Sequence, residues 1–266
     1  MLKRLLVSIF ALSVIIGANG TVYFPTGVSA AHVRASNNTQ IAWDIHNVLA
    51  QKDGGAKAGA ILGNIFTIGW TQMTGNKAWD EIKKLPKNID LSGEVYVTIF
   101  LKHGEVTLAK FAQDAANAYK PRKGMEQIVR EINTQGIPQH LASNIGPRCL
   151  SNLDTKFKSK KYNCHIFDII KPGKIVDFSK YSNEPKTYLP ADLTSCIKPD
   201  PAFFADYART YGQGKNSYII IIDDKIENIY TAVKAGWIGI HFDINKKDPV
   251  TQLRTDLQTL GILNLY

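Results

Sequence analysis

Residues 217–224 read SYIIIIDD. Side chains alternate faces along a strand, so a run that is apolar at every position is buried on both faces. That is the mark of a parallel strand inside a sheet. It closes on two acids, Asp223 and Asp224, which places carboxylates at the strand's carboxyl end. Downstream, the pattern predicts a helix over 226–235 stopped by Gly236, a strand from Trp237 to Phe242 and a last helix near 248–260. Upstream, Lys198-Pro199-Asp200-Pro201 leads into a helix, AFFADYARTYG, because proline is pre-shaped for a first helical turn.

The alternation continues toward the N-terminus. Pro121 is expected to open a helix through about Thr134, and Ile137 to Ala142 read as a strand running into Ser143-Asn144. A short helix is expected at 147–157, a short strand at Ile166–Ile170, and a loop or insertion over 171–196. The first strand runs from Asn38 to Ile45 and delivers Asp44, within IAWDIHNVLA (41–50). Strand and helix alternating through 120–260 predict an α/β fold with a parallel sheet. The stretch 55–118 lacks that alternation: an apolar, glycine-spotted helical segment at 56–73, helical patches at 77–85 and about 105–119, and a β-branched run from Val95 to Phe100 between them. It reads as a mainly helical insertion after the first strand.

The chain has 266 residues, 44% hydrophobic and 21% charged, which suits one large domain carrying a smaller insertion and excludes wholesale disorder. Its net charge of +9 favours anionic partners. The lysines of 156–161 enclose one aromatic, Phe157, and do not interleave with aromatics as a stacking platform would require, so nucleic acid is not the expected ligand. Met1-Leu2-Lys3-Arg4, the apolar LLVSIFALSVIIG and Ala18-Asn19-Gly20 make a secretory signal peptide, too short for a membrane-spanning helix. Residues 1–35 are therefore read as signal peptide and leader, cut after Gly20 or nearer Ser29-Ala30-Ala31, and the protein as exported, with no membrane span beyond that segment. Cys149, Cys164 and Cys196 allow at most one intramolecular disulfide, and the sequence does not select the pair.

Four polar clusters fall where apolar strands end or a helix begins: Asp44, Ser143-Asn144, Lys198 and Asp223-Asp224. In an open parallel sheet the carboxyl ends of the strands share one edge, where ligands bind. Carboxylates converging there repel one another unless a cation lies between them, and an all-oxygen set suits Mg²⁺. A hydroxyl and a lysine beside them fit a phosphate, which a carboxylate could attack to form an acyl phosphate.

The order D-x-H-N-V-L, L-A-S-N, K-P-D-P and I-I-I-I-D-D-K-x-x-N resembles the four motifs of the haloacid dehalogenase (HAD) superfamily, over roughly residues 40–262. The resemblance implies a Rossmann-like core over 36–54 and 119–266, with a small helical cap at 55–118 inserted after the first strand. It implies Asp44 as nucleophile and magnesium ligand, with the backbone carbonyl of His46 also on the metal. Ser143 would bond a phosphoryl oxygen, Asn144 would shape that pocket, and Lys198 would neutralise charge. Asp224 would hold the metal with Asp223 in support, and Asn228 would brace the loop. The implied activity is Mg²⁺-dependent hydrolysis of a small phosphate monoester through an aspartyl-phosphate. Position 46 departs from the pattern: phosphatases of the family usually carry a second aspartate there, and histidine can also exchange protons near neutral pH. A weak or inactive phosphate-binding relative, or a hydrolase of other chemistry, is the alternative that His46 raises.

Overall fold

The computed structural model describes residues 15–16, 21–53, 77–83, 94–116, 118–175, 197–212 and 217–264. The expected helical stretch at 56–73, with Trp70, lies outside them, as does Cys196.

A seven-stranded sheet organises the molecule. Its strands are β1 (Ile15–Ile16), β2 (Val22–Phe24), β3 (Thr39–Trp43), β6 (Gln139–Ser143), β7 (Lys171–Ile175), β8 (Tyr218–Asp223) and β9 (Ile238–His241), in the order β1-β2-β9-β8-β3-β6-β7. From β9 to β7 every neighbour is parallel, and β1 and β2 add an antiparallel edge. The isoleucine run is β8. Ile220 and Ile222 face one apolar layer while Ile219 and Ile221 face the other, which is why the run tolerates no polar residue.

The first layer is built from α5 (Met125–Thr134), α6 (Pro147–Phe157) and α10 (Pro249–Thr259), the second from α8 (Pro201–Tyr211) and α9 (Ile226–Lys234). A helix on each side of the sheet between successive strands fixes all parallel strands with their carboxyl ends at one edge. Asp200 caps α8 by accepting from the Ala202 amide at 2.7 Å, and Asp248 caps α10 by accepting from Thr251 at 3.0 Å.

Between β3 and α5 the chain makes a two-stranded antiparallel stem, β4 (Ala50–Lys52) against β5 (Tyr119–Pro121). Beyond it stand α2 (Lys77–Ile82), α3 (Glu94–Lys102) and α4 (Val106–Ala116). The β-branched run of 95–100 is thus helical. Val97, Ile99 and Phe100 bury against Ala78, Leu108 and Ala112, and this tertiary packing overrides local β preference. Ile197, one residue before Lys198, belongs to the same cluster.

Four expectations are corrected. Pro121 does not open a helix: it lies in β5 opposite Ala50, and α5 starts only after Gly124, whose φ of +87° suits glycine. Ile166–Ile170 is not a strand but one helical turn, α7 (Ile166–Ile169), because Ile166 and Ile170, four apart, both turn into the core. A short apolar run does not discriminate the two periods. The strand follows it, so 171–196 begins as β7 rather than as loop. Gly173 permits that close pairing: a Cβ there would stand 2.0 Å from the Leu141 carbonyl oxygen. Finally, residues 21–34, left out of the fold with the leader, pack against the sheet. Val22, Tyr23 and Phe24 are buried in β2, Val33 is buried in α1 (Ala30–Arg34), and the Thr21 hydroxyl donates to Asp256 at 2.7 Å.

Candidate active site

Asp44 follows β3, the middle of the five parallel strands, and its amide donates to the Ile222 carbonyl of β8 at 3.0 Å. Asp223 closes β8. Ser143 closes β6, two residues beyond Leu141, which pairs with Trp43. Strand pairing alone therefore brings these three to one edge, although they span the chain from 44 to 223.

Lys198 enters that edge from the turn before α8. It is 2% exposed, and its Nζ donates to Asp44 Oδ1 at 2.9 Å and to Asp223 Oδ2 at 2.5 Å. Burial alone would lower the pKa of this ammonium, but the two carboxylates more than reverse that and hold it charged. The lysine's own backbone is pinned by Asn144, whose Oδ1 accepts from the Lys198 amide at 2.9 Å and whose Nδ2 donates to its carbonyl at 2.8 Å. Both polar ends of Asn144 are thus spent on the lysine's peptide. It positions Lys198.

Asp223 is fully buried. Burial and repulsion from Asp44 push its carboxyl up, against the pull of Lys198. Its oxygens also accept from the Lys225 amide at 2.9 Å and from Asn228 Nδ2 at 2.9 and 3.0 Å, so Asn228 braces this acid directly. Asp224 accepts from Asn47 Nδ2 at 2.7 Å. Burial, then repulsion from Asp44, pushes its carboxyl up to about 6. Asp44, Asp223 and Asp224 each offer a carboxylate oxygen within 4.8 Å of the other two. Three acids so close, with one ammonium in contact, form a donor set of hard oxygens that fits a divalent cation. Ser143 Oγ is buried at this edge and has no hydrogen-bond partner among the described residues, a polar atom left for a ligand.

His46 is 5% exposed and its ring packs on Tyr119 of the stem, with centroids 4.6 Å apart at 50°. Of the residues singled out in the sequence, the structure joins Asp44, Lys198 and Asp223 by direct contacts. Asp224 stands beside them, Ser143 is at the same edge and Asn144 lies behind Lys198. Two further residues carry the geometry. Asn47 has φ +62°, and Arg122 donates from Nη2 to the Asn47 carbonyl at 2.7 Å and from Nε to the Val48 carbonyl at 3.1 Å. Asn47 had a faint signal, since asparagine tolerates left-handed backbone. Arg122 had none, because its partners are peptide oxygens that leave no trace in side-chain chemistry.

No family model matches the sequence, and no curated protein matches it. Solved structures do. A predicted HAD-like family hydrolase from Porphyromonas gingivalis superposes with a TM-score of 0.52 at 14% identity, over 83% of this chain and 98% of that one. An L-2-haloacid dehalogenase superposes with a TM-score of 0.50 at 15% identity, over 84% of this chain and 100% of that one. The chain has the HAD-like fold.

Proposed function

We propose that this HAD-like scaffold carries a hydrolase of small phosphate monoesters, with Asp44 as nucleophile and a divalent cation, Mg²⁺, held by Asp44, Asp224 and the His46 carbonyl, with Asp223 behind them. The observation that carries this reading is the surplus of negative charge: three carboxylates whose oxygens lie within 4.8 Å of one another, against one ammonium in contact among the described residues. An anionic substrate entering such a site without a cation would be repelled. The cation, when bound, would offset that charge and polarise the phosphoryl oxygens.

The chain's own residues supply the rest. Lys198 holds Asp44 by Oδ1, which leaves Oδ2 to attack phosphorus as the ester P–O bond breaks. His46 gives its proton to the departing alkoxide and then takes one from the water that attacks the acyl phosphate, releasing phosphate and restoring Asp44. Ser143 Oγ donates to a phosphoryl oxygen. The α2–α4 segment within 55–118 acts as the cap that closes over the substrate. Residues 1–20 act as an export signal; its cleavage would remove the two-residue edge strand β1 and leave a mature domain that starts at Thr21 with β2 as the sheet edge. Among the described residues no helix is long and apolar enough to cross a membrane.

A second reading, dehalogenation of a small 2-haloacid, is favoured by the dehalogenase likeness; there Asp44 would attack carbon instead. The two part on one experiment. Phosphate release from an aryl phosphate that requires Mg²⁺ and vanishes in Asp44→Asn supports the phosphatase. Halide release from a 2-haloacid without added cation, together with no phosphate release, would replace it.

A further inference from the structure

The turn that follows the nucleophile is clamped from the far side of the inserted segment. Arg122, just after β5, donates its amide to the Leu49 carbonyl at 2.9 Å, and its side chain takes the carbonyls of Asn47 and Val48. Its guanidinium also lies over the Phe242 ring, 5.1 Å from the centroid, and the Phe242 amide donates to the Asp223 carbonyl at 2.9 Å. One side chain thus ties the stem, the turn 47–49 and the end of β9 together. Inside this clamp Asn47 is held in a left-handed conformation that costs a non-glycine residue energy, and its amide points at Asp224.

A bland loop brace would need neither feature. Water could satisfy two turn carbonyls without burying a guanidinium, and glycine would take φ +62° without strain. What the pair adds is aim. Arg122 fixes the peptide of Asn47, and Asn47 fixes one oxygen of Asp224, a member of the trio whose carboxylate oxygens lie within 4.8 Å of one another. The Arg122 charge also acts on Asp224 through space. We propose that Asn47 and Arg122 are positioning residues for the divalent-cation site, setting the direction of the Asp224 carboxylate. This rests on the cation reading above.

The test is Mn²⁺ binding, followed by calorimetric titration and electron paramagnetic resonance, on the purified protein and on Asn47→Gly, Arg122→Met and Arg122→Lys. Asn47→Gly keeps the left-handed backbone and deletes only the amide. It is expected to bind Mn²⁺ roughly ten-fold more weakly, the size of one hydrogen bond to a charged group, while its cation-free melting temperature holds or rises. Arg122→Met is expected to weaken binding similarly, and Arg122→Lys to recover part of it. Wild-type affinity in Asn47→Gly, or an affinity loss in the Arg122 variants that only tracks a lower melting temperature, overturns the proposal. A wild-type protein that binds no Mn²⁺ overturns the cation reading itself, a separately recognisable result.

Discussion

Replacing Lys198 with methionine keeps most of the side-chain volume and removes the one cation shared by two acids. In the native site Lys198 is 2% exposed and bonds Asp44 at 2.9 Å and Asp223 at 2.5 Å. Without it, Asp223 has no exposed surface and must rely on Asn228 and the Lys225 amide alone. Removing one partner of a buried ion pair leaves the other uncompensated, at a cost of about 3–5 kcal/mol. For a domain of this size each kcal/mol moves the melting temperature by about 2–4 °C, so a fall of roughly 6–20 °C is expected at neutral pH. Adding Asp223→Asn to Lys198→Met should recover much of it, because the stranded charge goes too. Calorimetry of the two variants in cation-free buffer reads this directly. Equal melting temperatures for Lys198→Met and the wild type would refute the account, since they would mean that the ammonium neutralises nothing.

Three further outcomes follow from the same geometry. Asp224 holds its proton to about 6 in the folded chain against 3.8 unfolded, so the folded empty site binds more protons between those values. Stability should therefore fall by about 3 kcal/mol as pH rises from about 4 to 6, and Mg²⁺ should raise the melting temperature far more at pH 7.5 than at pH 5. A Mg²⁺ effect equal at both pH values would contradict this. Ser143→Ala removes a buried hydroxyl that has no partner, so its melting temperature should hold or rise while affinity for inorganic phosphate with Mg²⁺ falls about 10- to 100-fold; unchanged phosphate affinity would remove Ser143 from the site. Cleavage of the proposed export signal after Gly20 predicts a product that begins at Thr21 by N-terminal sequencing. A chain begun after Ala31 loses the buried Val22, Tyr23 and Phe24, each worth about 1.5–3 kcal/mol, and should melt well below one begun at Thr21.

The residues that sequence could place share a physical cause. Ile219–Ile222 are apolar because both faces of β8 are covered, and Asp44, Ser143 and Asp223 stand out because each ends such a covered strand. What escaped is set by contacts that have no period. β2 is three residues long, too short to show alternation, and its VYF looked like a continuation of the leader until pairing with β9 buried it. Ile166–Ile170 carries both periods at once, and only the Ile170 amide bonding the Ile166 carbonyl at 3.1 Å decides it. The Asn144 pairing with the Lys198 peptide joins residues 54 apart in sequence through main-chain atoms, invisible to any pattern of side chains.

The site divides into two halves with different demands. Asp44, Lys198, Asp223 and Ser143 would serve any attack by a carboxylate, on phosphorus or on carbon, because a held nucleophile, a countercharge and a free hydroxyl are needed in both. A scaffold likeness at 14–15% identity therefore cannot choose between them. Asp224 is different. A third acid pushed up to about 6 by burial and by Asp44 is a cost to the empty protein, and its amide partner sits on a left-handed turn that glycine would take more readily. A cation-free reaction gains nothing from either expense, whereas a divalent ion turns both into binding energy. The choice of chemistry thus rests on Asp224 and the turn that aims it, rather than on the nucleophile that first marks the site.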